Sequence, residues 1–185
     1  MKIGLISDTH NPGAARVPPP EVARAFEGVE MIFHAGDIYI PATLDWLEQI
    51  APVVAVELGS DAHFSEDSRV EEKRRFDLEG YSIGMVHDLI IPGMGGEVTE
   101  GSIPREFPNG VDLPKALESV FGAPVNVVVF GHTHHSIVEK YQGVLLVNPG
   151  SPSLPRQIRR LGQVGILELS PTGADAKIVE LSQYS

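Results

Sequence analysis

Carboxylate and imidazole side chains recur just after short apolar runs in this chain. Asp8 and His10 follow the run at 3–6, and His34 and Asp37 follow 31–33. Asp61 follows 53–58, His87 and Asp88 follow 81–86, and Gly131-His132-Thr133-His134 follows 125–130. The runs are rich in Val and Ile and read as buried strands. In open α/β sheets, sites form outside the carboxyl ends of strands. Five strand ends carrying Asp and His to one rim would therefore make a ligand cluster. A lone Asp after a strand is ordinarily a cap or turn residue, and a lone His is ordinarily a surface or core residue. The recurrence at five strand ends is what points to metal. On an extended segment His132 and His134, at i and i+2, would point the same way.

Carboxylate and imidazole ligands without sulfur suit Mn, Fe, Zn, Co or Ni better than Ca or Mg. Two ions held ~3.5–4 Å apart need a shared ligand, and a carboxylate such as Asp37 can bridge them. Such a pair polarises phosphoryl oxygens, generates a hydroxide near neutral pH and stabilises the leaving oxygen. That is phosphoester hydrolysis without a protein nucleophile, so it calls for neither a cysteine nor a serine elbow.

The elements that must position these residues follow from the patterning. Further strand-like runs lie at 137–138, 144–147, 164–169 and 177–181. Three segments read as helices. The first is 21–26, entered through Pro18, Pro19 and Pro20, and the others are 42–50 and 113–121. The order is strand–helix–strand–helix–strand, then mostly strands with one helix. Alternation implies a partly parallel sheet. The strand-rich tail implies antiparallel additions and a second sheet packed on the first. Residues 88–112 are rich in Gly and Pro and read as a long irregular loop that should overhang whatever His87 belongs to.

At 185 residues the chain is expected to form a single domain, 1–185. Apolar residues make up 42% and charged residues 21%, which is ordinary globular composition. There is no cysteine, which excludes disulfides, thiolate metal sites and cysteine nucleophiles. Lys and Arg number 14 against 25 Asp and Glu, a formal net charge of −11. Such a chain is a poor generic binder of nucleic acid or membrane surfaces. No apolar run approaches the ~20 residues of a membrane span, and the opening apolar stretch is too short for a signal peptide. A cytoplasmic protein acting on a small phosphoester is expected, with no nucleic-acid or membrane partner. The tail strands offer an edge on which a homo-oligomer could pair.

The set Asp8-Thr9-His10, Gly36-Asp37, Gly59-Ser60-Asp61, His87, Gly131-His132-Thr133-His134 and Asn148-Pro149-Gly150-Ser151 resembles the calcineurin-like metallophosphoesterases. Short length and the Asn-Pro-Gly-Ser turn resemble the compact YfcE-like phosphodiesterase branch. The resemblance implies a four-layer α/β/β/α sandwich of two mixed sheets flanked by helices, with a dinuclear site at the sheet edge. By position, Asp8, His10 and His134 would hold one ion, His87 and His132 the other, and Asp37 would bridge. It implies phosphoester hydrolysis, of diesters more than monoesters, with manganese as the expected metal. Arg156 resembles a basic, substrate-binding residue at the site mouth of relatives.

The chain departs from that family at its third motif. Ser60 stands where an Asn amide oxygen would ligate the second ion, and a hydroxyl is a shorter, weaker ligand. Asp61 stands where phosphatase branches carry a general-acid His. It could instead ligate or contact substrate, and His63, two residues on, could serve as the catalytic acid. His34 and His135 read as residues packed behind the site. The alternative function is a non-catalytic scaffold, since the retromer small subunit is similar to this fold and presents surfaces to partners.

Overall fold

The early alternation of apolar runs and helices folds as parallel pairing. In the computed structural model, which describes residues 1–59 and 63–185, β1 (Lys2–Ile6), β2 (Met31–His34) and β3 (Val53–Val56) are adjacent and parallel. The connections run through α1 (Glu21–Ala25) and α2 (Pro41–Glu48). A short β4 (Val70–Glu71) extends this first sheet beyond β3.

The second sheet has the order β5-β6-β7-β9-β8. It contains β5 (Lys73–Leu78), β6 (Tyr81–Val86), β7 (Val127–Val129), β8 (Ile137–Tyr141) and β9 (Val144–Asn148). Within it β6, β7 and β9 run parallel. Two more helices, α3 (Ser102–Glu106) and α4 (Leu113–Phe121), precede β7. The closing hairpin of β10 (Gln163–Ser170) and β11 (Gly173–Glu180) returns to the first sheet, where β10 pairs antiparallel with β1. The tail strands thus enlarge the first sheet, and the middle of the chain builds the second.

Three apolar clusters separate four layers. Val22, Phe26, Leu44 and Leu47 pack from the helical side onto Ile6, Ile32 and Ala55 of the first sheet. Ile3, Leu5, Phe33 and Val56 meet Ile83, Met85, Val127 and Val129 between the sheets. Val128 and Leu146 face the opposite way and pack on Ile103, Leu113, Leu117 and Phe121. Adjacent valines of β7 therefore serve two cores, as a strand buried on both faces requires. The expected α/β/β/α sandwich is the observed architecture.

Three elements escaped the patterning, the first being the two-residue β4. β5 reads Lys-Arg-Arg-Phe-Asp-Leu and lies at the edge of its sheet, so it carries charge where buried strands carry valine. Residues 88–112 contain α3, and Leu89, Ile91, Val98 and Ile103 of that segment are buried in the outer core of the second sheet. A Gly-x-Ser-x-Gly stretch, Gly80 to Gly84, falls on β6. There Ser82 pairs across the hairpin with Asp77 and donates to its carboxylate, so it is a strand residue and not a nucleophile elbow. Among the described residues no helix is long and apolar enough to cross a membrane.

Candidate metal centre

The carboxyl ends of the parallel strands in both sheets meet at one rim. Asp8 and His10 leave β1, Asp37 leaves β2, His87 leaves β6, and His132 and His134 leave β7. Backbone bonds join these turns, from Asp8 N to Gly36 O (2.9 Å), His10 N to Asp37 O (2.9 Å) and Gly131 N to His87 O (2.9 Å). His132 N donates to Asp8 Oδ1 across the two sheets at 3.0 Å.

The turns are strained. Asp8, His10, Asp37, His132 and His134 have φ of 53°, 48°, 54°, 71° and 56°, in the left-handed region that side chains ordinarily avoid. Each such residue costs on the order of 1–3 kcal/mol, and strain of this kind concentrates at functional sites. Close approach requires glycine as well. A Cβ on Gly131 would lie 2.7 Å from Ala35 O and 2.9 Å from Asp8 Oδ2.

His10 Nε2 sits 3.0 Å from His134 Nε2 and 3.1 Å from Asp37 Oδ2. His134 Nε2 is 3.5 Å from Asp8 Oδ1, and His87 Nε2 is 3.6 Å from the same Asp37 oxygen that faces His10. One ligand atom each from Asp8, His10, Asp37 and His134 lies within 4.8 Å of the others. The His132 ring stands edge-on to His87, 5.3 Å between centroids. Asp37 thus lies between His10 on one side and His87 on the other.

Hydrogen bonds behind the rings set which nitrogens face inward as acceptors. His87 Nδ1 donates to Ala35 O (2.7 Å), and His134 Nδ1 donates to Leu154 O (2.8 Å). His10 Nδ1 meets the Tyr39 hydroxyl at 2.6 Å. When neutral, His87 and His134 then turn an Nε2 lone pair into the site, and His10 does the same when its Nδ1 donates to the Tyr39 hydroxyl. Two atoms in the site, Asp8 Oδ2 and His87 Nε2, are buried without a hydrogen-bond partner. Buried polar atoms left without partners are costly unless a bound group joins them. The donor set fits divalent metal.

The titration properties agree with that environment. Burial raises the Asp8 carboxyl above its ordinary value, and the neighbouring His87 and His134 offset this only in part. Burial also pushes Asp37 up, but contacts from His10 and His87 outweigh it and hold the carboxyl well below the carboxylate range. Burial pulls His87 down, yet the Asp37 and Asp8 carboxylates raise it to about 9. Behind the site, burial lowers His34 to about 3. It is therefore neutral, accepting from Gly36 N through Nδ1 and facing Thr9 Oγ1 through Nε2.

Several supporting residues were not apparent from sequence. The buried Glu57 carboxylate accepts from the backbone N–H groups of Asp37 (3.1 Å), Ile38 (2.7 Å) and Leu58 (3.0 Å), which fixes the Asp37 turn. Asn148 Nδ2 donates to Gly131 O at 2.7 Å, and Ser151 Oγ donates to Asp8 O at 2.7 Å. The Asn-Pro-Gly-Ser turn, legible as a motif, is thereby a brace for both ligand loops. Tyr39 had no signal beyond its position two residues after Asp37.

Other expectations resolve as follows. His132 and His134 do not share a face. Their positive φ makes the segment a turn, so one ring reaches His87 and the other reaches His10. Ser60 and Asp61 lie outside the described residues. His63 lines a polar hollow with Pro41, Ser65, Glu66 and Arg69. Arg156 is exposed, and its backbone N donates to His134 O at 3.1 Å. His135 is exposed and does not pack behind the site, in contrast to the fully buried His34. Asp88 lines a cleft with Glu71, Glu72, Lys73 and Ile90 that includes none of the six candidate ligands.

Residues 1–171 match the calcineurin-like phosphoesterase superfamily domain. The chain belongs to this family. It is 34% identical to a probable metallophosphoesterase of Methanothermobacter thermautotrophicus, over 97% of this chain and 92% of the relative. A phosphodiesterase of Methanocaldococcus jannaschii is 27% identical, over 81% of this chain and 83% of that protein. Among solved structures, a Vps29 single mutant from Entamoeba histolytica superposes with a TM-score of 0.63 at 19% identity, covering 97% of this chain and 99% of that one. A Thermotoga maritima protein gives 0.66 at 24% identity, over 97% and 98%. At these identities the structural likeness speaks for the fold alone. Membership gives the calcineurin-like chain its class, a metallophosphoesterase, and the Asp/His cluster is a set of side chains able to hold a divalent metal.

Proposed function

We propose that this chain is a metal-dependent phosphodiesterase with a dinuclear centre, working in the cytoplasm on a small phosphoester with manganese as its metal. The observation that carries the reading is the position of Asp37. A single carboxylate oxygen lies 3.1 Å from His10 Nε2 and 3.6 Å from His87 Nε2, between a histidine of the first sheet and one of the second. Asp8, His10 and His134 would hold one ion, and His87 and His132 the other, with Asp37 shared. Two such ions would supply Lewis-acid activation of the phosphoester and of water. The protein contributes orientation, since Ala35 O, Leu154 O and the Tyr39 hydroxyl fix the three rings from behind. Diester preference is supported by the relative named a phosphodiesterase, and Ser60, Asp61 and His63 stay candidates by sequence for the second ion, the substrate and the catalytic acid.

Metal content of the purified protein, then hydrolysis of chromogenic phosphomonoesters and phosphodiesters with and without Mn²⁺, tests this reading. Two bound ions and Mn-stimulated diester cleavage are expected. Metal binding without hydrolysis of any ester would leave a scaffold of this fold as the function, and a protein that binds no metal would overturn the centre itself.

A further inference from the structure

Charge around the rim is divided by side. The chain carries a net charge of −11, yet residues 9–20 and 140–167 contain no carboxylate. Those two segments hold Arg16, Lys140, Arg156, Arg159 and Arg160, five of the 14 basic residues, and all five are exposed.

They are also joined to the ligand loops. Arg156 N donates to His134 O (3.1 Å), and Arg159 Nη2 donates to Gly13 O (2.7 Å) on the loop that leaves His10. Ala14 N in turn donates to His10 O (2.7 Å). The arginine segment therefore spans from the His134 loop to the His10 loop. Arg156 and Gln157 take φ of 52° and 62°, so two consecutive non-glycine residues there are held in the left-handed region. Such strain persists only where surrounding bonds over-determine it. On the opposite side, next to His87, the cleft is lined by Glu71, Glu72 and Asp88, and Lys73 there donates to Val120 O.

We infer that the arginine segment at 156–160 binds a second anionic group of the substrate, so that the preferred substrates are phosphodiesters bearing an additional phosphate on one of their alcohol groups. Guanidinium groups pair with phosphate through planar, two-pronged hydrogen bonds. A basic rim on one side and an acidic one on the other also orient such a substrate before it docks. The inference rests on the phosphoesterase reading and specifies its substrate class.

Two chromogenic esters test it, thymidine 3′-(p-nitrophenyl phosphate) and the same compound with a 5′-phosphate. The scissile diester is identical in both, so only the added anion differs. The Mn-loaded protein is expected to prefer the 5′-phosphorylated ester in kcat/KM by about tenfold or more. That preference should shrink as salt rises from about 0.02 M to about 0.5 M, because screening shortens the reach of exposed charges. In the double variant Arg156→Ala/Arg160→Ala the ratio should fall toward one, and in Arg160→Glu it should invert. Equal use of the two esters by the native protein, or a ratio unchanged in the variants, overturns the inference. Calorimetric binding of both esters separates this from failure of the enzyme reading. With no hydrolysis at all, tighter binding of the 5′-phosphorylated ester that is lost in the double variant still supports the rim, and equal binding rejects it.

Discussion

In the proposed dinuclear centre, Asp37 is the residue that both halves would share. It is held ionised by His10 and His87, and its oxygen faces both rings. Asp37→Asn keeps the shape and removes the shared charge. The variant should lose bound metal and, with it, at least about 100-fold in diester hydrolysis, the scale of losing a group that stabilises transition-state charge. Metal analysis beside kinetics checks it, and full metal content with native turnover would reject a shared ligand. His87 gives a second expectation. In the metal-free protein its pKa is raised to about 9, so it is protonated at neutral pH. Its contribution to stability is present below the unfolded value near ~6.5 and is lost as pH rises through about 9. Metal must displace that proton. Uptake at neutral pH should therefore release acid, and affinity should rise with pH toward that value. Calorimetry in buffers of different ionisation enthalpy reads the release, and identical heats in every buffer would count against His87 as a ligand.

At the scale of elements, the site depends on turns at strand ends more than on the strands. Glu57, at the end of β3, gathers three backbone N–H groups and so holds the left-handed Asp37 turn that follows β2. Glu57→Gln replaces one accepting oxygen with an NH₂ group that faces those donors. Metal affinity should fall by about 10–100-fold, the usual cost of removing a partner behind a ligand, while far-UV circular dichroism stays native. Unchanged affinity would mean that the turn stands without this brace. The patterning located most elements, and α4 at 113–121 agrees with its apolar spacing to the residue. It passed over β5 because an edge strand solvated along one side has no need of an apolar run. It also passed over α3, a helix of five residues inside a Gly- and Pro-rich stretch, too short to show a period.

For the whole molecule, the centre stitches the two sheets together. Asp8, His10 and Asp37 come from the first sheet, and His87, His132 and His134 come from the second. Cations bound only by the folded state should therefore stabilise the entire sandwich. At Mn²⁺ about 100-fold above the dissociation constant, each ion adds about 2.7 kcal/mol. For a chain of this length that corresponds to an increase in Tm of about 5–10 °C. Differential scanning calorimetry with Mn²⁺ and with chelator checks the shift, and coincident transitions would show that no ion bridges the sheets.

The sequence by itself determined the fold class and most of the candidate ligands that the structure gathers at one rim. Five strand-like runs of Val and Ile were followed by Asp or His, and the helical segments among them implied parallel pairing, so Asp8, His10, Asp37, His87, His132 and His134 were expected at one rim. Residue type and order were sufficient because strand direction alone decides where a carboxyl end points. Tertiary structure decided everything that depends on rotation about the backbone and on neighbours distant in sequence. His132 and His134 look like an extended pair, but positive φ at both sends one ring to His87 and the other to His10. His34 and His135 each adjoin a ligand in sequence, but one is buried and neutral and the other is exposed. Glu57, Tyr39 and Asn148 gained their roles only when chain folding carried backbone donors, an imidazole and a carbonyl to within hydrogen-bonding distance of them. Sequence names the groups able to bind a cation, whereas the angles and distances that turn their lone pairs toward a common point exist only once both sheets have packed.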